Sequence, residues 1–196
     1  MNNTFLETIK IFNGKVFHLK YHQERYEKVL KKFNIKEFKN LQDYIKLQED
    51  GLYRCRLVYT KDNIDVEYLP YTKRKIKKLK LIYNDKITYK YKSTCRDELN
   101  NLFNQREDAD DIIIVKNSFI TDTTIANIAF YDGEVWHTPK KPLLEGTTRQ
   151  RFIDDGKLIL SDIDVQTIYR YKKIALLNAM IDFDIIAVEN IKDIIC

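Results

Sequence analysis

The segment Leu6-Glu7-Thr8-Ile9-Lys10-Ile11 is followed by the pair Asn13-Gly14 and then by Lys15–Leu19. Its β-branched residues favour an extended strand. An Asn-Gly pair is the residue preference of a two-residue hairpin turn. The sequence therefore opens with a predicted β-hairpin, and from it we expect antiparallel strands in the first half of the chain.

The rest of the first half mixes helical and strand patterns. Tyr26, Val29, Leu30 and Phe33 recur at helical spacing, which predicts a helix over His22–Phe33. The other expected elements are a helix over Phe38–Gln48 and strands over Leu52–Thr60, Ile64–Leu69 and Lys77–Tyr83. Together they predict a small α+β lobe over residues 1–86, with a boundary near Lys86.

The second half changes character at a continuous apolar run, Ile112-Ile113-Ile114-Val115, inside a strand predicted over Asp111–Asn117. Such a run is typical of a strand that is buried on both faces. Tyr169–Ala175 is amphipathic and fits either a helix or a strand. The other expected elements are helices over Cys95–Phe103 and from Gly146, and strands over Phe119–Thr121, Asn127–Tyr131, Glu134–Thr138 and Ile185–Val188. They predict a larger lobe over residues 87–196.

Length and composition narrow the class of protein. The chain has 196 residues, of which 44% are hydrophobic and 32% charged, a globular composition. No apolar run approaches the roughly 18 residues of a membrane helix, and the N-terminus lacks a secretory signal pattern. The three cysteines, Cys55, Cys95 and Cys196, are widely spaced. Neither a disulfide framework nor a zinc site is predicted, and we expect a reducing cytoplasm.

The formal net charge is +5, and part of the excess lies in the basic run Lys73–Lys80. Such a run could bind the phosphates of a nucleic acid. It is more often a solvated connector or strand edge, whose lysines discourage edge-to-edge aggregation. We favour the connector and keep a basic nucleic-acid-binding module as an alternative.

Six short motifs occur in a defined order along the chain. They are Leu6-Glu7-Thr8-Ile9-Lys10, His22-Gln23-Glu24-Arg25, Lys92-Ser93-Thr94-Cys95-Arg96, Ile120-Thr121-Asp122 with Ala126-Asn127-Ile128, Thr138-Pro139, and Gly146-Thr147-Thr148-Arg149. This order resembles the class IV pyridoxal-phosphate (PLP) aminotransferase family, which includes branched-chain and D-amino-acid aminotransferases and aminodeoxychorismate lyase. The corresponding family patterns are FET-[IVA]-[RK], HxxR, KxxxR, [VI]-[ST]-E with N-[IVL], TP, and G-[IT]-[TM]-R.

The resemblance runs from about Phe5 to Val188. It implies an α+β fold of the fold-type IV PLP enzymes, similar to D-amino-acid aminotransferase. In that fold a small N-terminal α+β lobe is followed by a larger C-terminal mixed α/β lobe, with the cofactor between them. The resemblance also implies a homodimer.

The resemblance assigns Lys92 to the Schiff base with the PLP aldehyde and to proton transfer at the substrate α-carbon. Lys90 lies close by in the sequence, and the Lys-x-x-x-Arg spacing to Arg96 favours Lys92. The family places a glutamate beside the pyridine nitrogen, where it keeps the ring protonated. This chain has Asp122 at that position, with the same charge and a reach shorter by one methylene.

The PLP phosphate needs a guanidinium and backbone amides. Arg25 matches the arginine of the HxxR pattern, and its fork of donors can hold two phosphate oxygens. Gly146-Thr147-Thr148 at a predicted helix start adds N–H groups, hydroxyls and a positive dipole end. Asn178-Ala179 resembles a third phosphate-contacting turn of the lyases.

Thr8 bears on the type of reaction. In members similar to aminodeoxychorismate lyase, a threonine at this position relays a proton to the leaving part of the substrate, although Thr8 equally suits strand packing. Arg54 and Arg56 alternate on one strand face, and either could pair with a substrate carboxylate. The predicted function is a PLP-dependent lyase that eliminates pyruvate from an amino-acid-like substrate. An aminotransferase is the alternative, and a non-catalytic PLP-family remnant is the second.

Two departures from the family pattern leave the substrate open. The chain starts almost at Leu6, so we expect the N-terminal segment usual in the family to be missing. The Gly-rich arginine loop expected for chorismate-type substrates is absent between Tyr59 and Leu79.

Overall fold

The computed structural model describes residues 4–186 and 191–195, and the chain forms two compact units. The first unit runs up to Lys73 and includes Tyr91–Cys95. The second comprises Arg74–Lys90 and the chain from Arg96 onward. The sequence predicts a single boundary near Lys86, whereas the first unit ends at Lys73 and takes in a later segment.

The first unit contains a four-stranded antiparallel sheet in the order β2-β1-β3-β4. Its strands are β1 (Phe5–Phe12), β2 (Lys15–Val16), β3 (Leu52–Tyr59) and β4 (Ile64–Pro70), and its helix is α1 (Leu19–Lys32). The predicted hairpin is confirmed, since Asn13 and Gly14 have φ values of 45° and 71°, as a type I′ turn requires. Strand β2 is shorter than predicted because α1 begins at Leu19.

The core of the first unit lies between α1 and one face of this sheet. Residues of β1 are alternately buried and half-buried because successive strand side chains point to opposite faces. The buried set comprises Phe5, Glu7, Ile9 and Ile11 of β1, Cys55, Leu57 and Tyr59 of β3, and Tyr26, Val29 and Leu30 of α1. Glu7 thus brings a carboxylate onto the apolar side of the sheet.

The predicted helix over Phe38–Gln48 is wrong. The segment holds a short 3-10 helix, Leu41–Tyr44, and Ile45 returns to an extended conformation with φ −94° and ψ 119°. The next residue, Lys46, donates its N–H to the hydroxyl of Tyr68 on β4. The backbone donor that would continue a helix is therefore used in a tertiary contact.

The segment Tyr91–Cys95 joins the first unit through backbone hydrogen bonds and aromatic packing. The N–H of Leu6 donates to the carbonyl of Lys92 at 2.8 Å, and the N–H of Thr94 donates to the carbonyl of Thr4 at 3.1 Å. The Tyr91 ring centroid lies 5.9 Å from that of Phe5. These contacts hold the segment beside β1.

The second unit contains two sheets. A three-stranded sheet has the order β5-β6-β7, and a five-stranded sheet has the order β10-β9-β8-β11-β12. The strands are β5 (Leu79–Tyr83), β6 (Asp111–Lys116), β7 (Phe119–Ile120), β8 (Asn127–Tyr131), β9 (Trp136–Pro139), β10 (Ile159–Ser161), β11 (Lys173–Asn178) and β12 (Asp182–Ile186). The helices are α2 (Asp97–Phe103) and α3 (Thr147–Asp154). Among the described residues, no helix has the length and apolar character needed to cross a membrane.

Strand β6 confirms the buried strand predicted from the apolar run, since Ile112–Val115 are 0% exposed. The ambiguous segment Tyr169–Ala175 joins two elements, because a 3-10 helix ends at Arg170 and β11 begins at Lys173. The strand predicted over Ile185–Val188 begins earlier, as β12. Val188 and Cys196 lie outside the described residues.

The basic run lies beside an acidic segment of the second unit. The Lys78 ammonium lies 2.7 Å from Asp108, and the Lys80 ammonium pairs with Glu107. The backbone N–H of Lys78 donates to Asp110 at 3.0 Å. Part of the positive charge is thus neutralised within the fold, which favours the connector over the nucleic-acid-binding alternative.

Candidate functional site

Three side chains of the first unit form a buried ion cluster, Glu7 of β1 with His22 and Arg25 of α1. The spacing of His22 and Arg25 places them on one helix face. Arg25 donates from Nε to Glu7 Oε1 at 2.8 Å and from Nη2 to Oε2 at 2.5 Å. His22 Nδ1 lies 2.6 Å from the same Oε2. The side chain of Glu7 is 0% exposed and that of Arg25 is 13% exposed.

The charges of this cluster follow from its geometry. Burial raises the pKa of Glu7, but the Arg25 charge and the hydrogen bonds from His22 and Arg25 outweigh it and lower the pKa from 4.5 to about 2. Burial lowers the pKa of His22, and the charges of Arg25 and Lys92 add to this effect against the pull of Glu7. At neutral pH Glu7 is therefore ionised and His22 is neutral. Because an ionised carboxylate only accepts hydrogen bonds, His22 Nδ1 carries the proton.

Glu7 fixes the orientation of Arg25. Of the five N–H donors of a guanidinium, two are directed to Glu7. Sequence analysis gave Glu7 no role. The signal was available, since HxxR puts two basic side chains on one helix face, next to a strand with a single acid.

Lys92 belongs to the same unit as this cluster, whereas Lys90 belongs to the other unit. The Lys92 carbonyl accepts the N–H of Leu6, which fixes Lys92 beside the residue that precedes Glu7. The Lys92 charge lowers the pKa of His22, after the larger effect of burial, so the two groups lie within electrostatic range. Lys92 is half-buried and Lys90 is exposed.

Thr8, Arg54 and Arg56 lie on the opposite face of the sheet from Glu7. Thr8 pairs in register with Arg56 of β3, and Lys10 pairs with Arg54. Arg56 forms an ion pair with Glu67 across the sheet, with 3.6 Å between Nη1 and Oε2. The Nε atom of Arg54 is buried and has no hydrogen-bond partner among the described residues. The two arginines, equivalent in sequence, are therefore distinguished by the structure.

Asp122 is one of two buried aspartates among the described residues of the second unit, with 4% of its surface exposed; the other is Asp111. Its Oδ1 accepts from Asn127 Nδ2 at 2.6 Å, and its Oδ2 accepts from the N–H of Leu144 at 2.9 Å. Burial raises the pKa of Asp122 from 3.8 to about 7, against those hydrogen bonds and the charge of Arg149. Since its hydrogen-bond donors are neutral amides, the carboxylate charge is available to stabilise a cation.

The turn between Asp122 and Asn127 is anchored at its far end. Arg96, the arginine of the Lys-x-x-x-Arg motif, donates from Nη2 to the Thr124 carbonyl at 2.7 Å. The Thr124 hydroxyl donates to Asp111 at 2.6 Å. Both contacts limit the movement of the turn that carries Asp122.

The helix start predicted at Gly146 is the first turn of α3. Gly146 precedes the helix in an extended conformation, and Thr147 and Thr148 are 7% and 6% exposed. The N–H groups of a first helical turn have no partner within the helix and point along its axis. Arg149 is buried in the same turn and donates to the Pro139 carbonyl at 2.8 Å.

Asn178 ends β11 and caps the turn that follows. Its Oδ1 accepts from the N–H groups of Met180 at 2.9 Å and Ile181 at 3.1 Å, and its Nδ2 donates to the Ile125 carbonyl at 3.3 Å. Ala179 lies within the same turn. The side-chain amide of Asn178 is thus used to hold the turn.

A sequence model of the family described as amino-transferase class IV matches residues 4–190. The chain belongs to this family. It is 35% identical over 181 residues to an uncharacterized protein of Haemophilus influenzae, covering 89% of this chain and 96% of that protein.

This chain has the same fold as solved structures of related proteins. A Haemophilus somnus 129pt protein, to which 4-amino-4-deoxychorismate lyase activity is attributed, is 35% identical, with a TM-score of 0.86 over 92% of this chain and 97% of that one. The PLP-bound form of a hypothetical aminotransferase from Mycobacterium tuberculosis is 14% identical, with a TM-score of 0.79 over 94% of this chain and 80% of that one. The resemblance and the α+β fold-type IV class predicted from the sequence are confirmed.

The predicted site residues of this chain fall into separate groups within each unit. In the first unit, Lys92 and Arg25 lie near Glu7, and Thr8 and the two β3 arginines lie on the other sheet face. In the second unit, the turn from Asp122 to Asn127 contacts both Asn178 and the start of α3. Sequence analysis named Asn127 only as part of a family motif. In the structure, its turn links the groups of the second unit.

Proposed function

We propose that this member of the class IV aminotransferase family is a PLP-dependent enzyme that eliminates pyruvate from an amino-acid-like substrate, as aminodeoxychorismate lyases do. The observation that carries the proposal is the Asp122 carboxylate, which is buried and held by two neutral amides. A protonated pyridine nitrogen is a cation that suits such a site. The PLP-bound relative of the same fold supports the choice of cofactor.

The groups proposed to bind the phosphate fit an anion. The guanidinium of Arg25 is oriented by two hydrogen bonds to Glu7, and a guanidinium is the side chain best suited to a phosphate. The first turn of α3 offers backbone N–H groups and the hydroxyls of Thr147 and Thr148. We assign the phosphate to Arg25, to residues 146–148 and to the backbone at Asn178-Ala179.

Lys92 is assigned the reactive amine. When bound, PLP supplies an aldehyde that reacts with amines and a ring that withdraws electrons from the substrate α-carbon. Lys92 Nζ would hold the aldehyde in the resting protein and would take the α-proton after the substrate amine replaces it. The neutral state of His22 limits the positive charge near this amine.

Thr8 favours the lyase over the aminotransferase. Its side chain is half-buried on the sheet face that also carries Arg54 and Arg56. We assign to its hydroxyl the transfer of a proton to the leaving pyruvate fragment. The activity attributed to the Haemophilus somnus relative, at 35% identity, supports the same choice.

Arg54 is the better candidate for the substrate carboxylate. Arg56 is already paired with Glu67, whereas the buried Arg54 Nε has no partner among the described residues. The charge of Arg54 is therefore not committed to an ion pair among the described residues, and a substrate carboxylate could pair with it. A homodimer in the cytoplasm completes the proposal, and size-exclusion chromatography with light scattering tests the dimer.

The reaction can be tested with purified protein, PLP and aminodeoxychorismate. We expect a visible absorption band from bound PLP, and release of pyruvate without any keto-acid acceptor, followed with lactate dehydrogenase and NADH. Thr8→Val should lose pyruvate release, and Thr8→Ser should keep most of it. Amino-group transfer that strictly requires a keto acid would instead establish the aminotransferase alternative. A colourless, inactive protein would contradict the proposal and favour a non-catalytic remnant.

A further inference from the structure

We propose that Asn127 is a positioning residue that aims the Asp122 carboxylate, and that residue 146 is a glycine because the Asn127 amide occupies the space of a side chain there. The role given to Asp122, which is to contact the pyridine nitrogen of PLP, rests on the proposed function. The link between Asn127, Gly146 and Asp122 rests on the structure of the second unit alone.

Asn127 closes a small hydrogen-bonded ring with Asp122 and Leu144. Its Nδ2 donates to Asp122 Oδ1 at 2.6 Å and to the Leu144 carbonyl at 2.8 Å, which uses both amide hydrogens. The Leu144 N–H donates in turn to Asp122 Oδ2 at 2.9 Å. Each carboxylate oxygen therefore has a fixed amide donor, and the backbone N–H of Leu143 adds to the hydrogen bonding of the carboxylate.

The backbone on either side of this ring is also fixed. Asp122 and Asn127 form an antiparallel bridge across their turn. Within the turn, the Thr123 hydroxyl accepts the N–H of Ala126 at 3.1 Å. The backbone position of Asn127 is thus well defined, and its side-chain amide has little freedom to adopt another geometry.

Gly146 packs directly against this amide. A Cβ atom at residue 146 would lie 1.9 Å from Asn127 Oδ1 and 3.1 Å from its Cγ, far inside contact distance. The backbone of Gly146, with φ −74° and ψ 144°, is open to any residue. Glycine is therefore required here for space, and the group that requires the space is the Asn127 side chain.

The supporting hydrogen bonds matter more for an aspartate than for the longer glutamate of the family pattern. A carboxylate on a shorter side chain has fewer rotatable bonds with which to reach a ligand, so its position depends more on the groups that hold it. Asn127 supplies the donor nearest to Asp122 in the sequence. Loss of that donor removes a hydrogen bond that favours the ionised form, so Asp122 becomes more easily protonated.

The test compares Asn127→Ala, Gly146→Ala and the double variant, with Asn101→Ala, an exposed asparagine of α2, as the matched control. One readout is the Asp122 pKa in cofactor-free protein, from the pH dependence of its ¹³C carboxyl shift. The other is PLP affinity from an absorbance titration. If Asn127→Ala does not fold, Asn127→Ser replaces it, since a serine hydroxyl cannot donate to both acceptors.

We expect Asn127→Ala to raise the pKa of Asp122 by about one pH unit. At pH 7 the ionised fraction would then fall, and PLP affinity with it, by about fivefold. Gly146→Ala should have a similar effect, because it displaces the same amide. The double variant should be no worse than Asn127→Ala, since the group that the new methyl would meet is gone.

Two results would overturn the proposal. One is an Asp122 pKa unchanged in Asn127→Ala. The other is effects of the single variants that multiply in the double variant, which would mean that Gly146 acts independently, through its backbone. A wild-type protein that binds no PLP would contradict the proposed function, and the titration of cofactor-free protein would still decide the link between the three residues.

Discussion

Arg25 donates two hydrogen bonds to the buried carboxylate of Glu7, at 2.8 Å from Nε and 2.5 Å from Nη2. Glu7 also faces His22, so one carboxylate organises both basic side chains of the HxxR motif. Charge-assisted, two-point contacts of this kind fix a guanidinium in orientation as well as in position. In the proposed cofactor site, Glu7 is therefore a positioning residue for Arg25, the group assigned to the phosphate.

Removal of this carboxylate should weaken both the fold and the cofactor site. Glu7→Gln leaves the half-buried Arg25 without its counterion, and we expect a loss of roughly 3 kcal/mol in the free energy of unfolding. PLP affinity should fall about tenfold or more. Urea denaturation and PLP titration measure the two effects.

The matched control for Glu7 is Glu67, which also pairs with an arginine but is 54% exposed. Glu67→Gln should cost less than about 1 kcal/mol. Equal losses for the two variants would mean that burial of the Glu7–Arg25 pair has no special effect.

The same carboxylate predicts a specific acid sensitivity. The pKa of Glu7 is lowered from 4.5 to about 2, so its contribution to stability is complete above pH 4.5 and is lost as the pH falls towards 2. The loss between pH 6 and pH 3 should be roughly 2 kcal/mol. The pKa of His22 is also lowered, in this case mainly by burial. Its protonation therefore favours the unfolded chain, and it further reduces stability as the pH falls below 6.5.

Urea denaturation at pH 6 and pH 3 tests this sensitivity in wild type and in Glu7→Gln. The difference in stability between the two proteins should shrink at pH 3. If the difference in stability between wild type and Glu7→Gln stays constant or grows at pH 3, protonation of Glu7 is not the cause of the acid sensitivity.

The two arginines of β3 should respond differently to substitution. Arg54→Ala removes the buried, unpartnered donor and should raise KM about tenfold or more, with less effect on kcat. Arg56→Ala breaks an exposed ion pair with Glu67 and should change KM less than threefold. Steady-state kinetics of both variants checks this, and the reverse order of effects would reassign the substrate carboxylate to Arg56.

Local sequence patterns correctly predicted two kinds of element. One kind forms its hydrogen bonds between residues close in sequence, and the other is buried on all sides. The Asn13-Gly14 hairpin and the apolar strand β6 are examples. The helix predicted over Phe38–Gln48 failed because its apolar spacing suits a helix, whereas a backbone donor at Lys46 is used by a distant tyrosine hydroxyl. That competition depends on tertiary structure and is not visible in a short window of sequence.

The candidate site shows the same division. Motif order predicted Arg25 and Asp122 as ligand-contacting residues, and that prediction awaits the experiments above. It did not identify Glu7, whose partners lie 15 and 18 residues away on α1. Nor did it identify the packing of Asn127 against Gly146, which forms only when the turn meets α3. Residues that position others are recognised by contacts, and these contacts link distant parts of the chain.

The central claim, that Lys92 holds PLP, is tested most directly by mapping the attachment site. Protein incubated with PLP is reduced with borohydride and digested, and the modified peptide is identified by mass spectrometry, with Lys90→Ala and Lys92→Ala in parallel. We expect one pyridoxyl-phosphate adduct per chain, on Lys92, that survives in Lys90→Ala and disappears in Lys92→Ala. An adduct that persists in Lys92→Ala, or one spread evenly over surface lysines, would contradict the account.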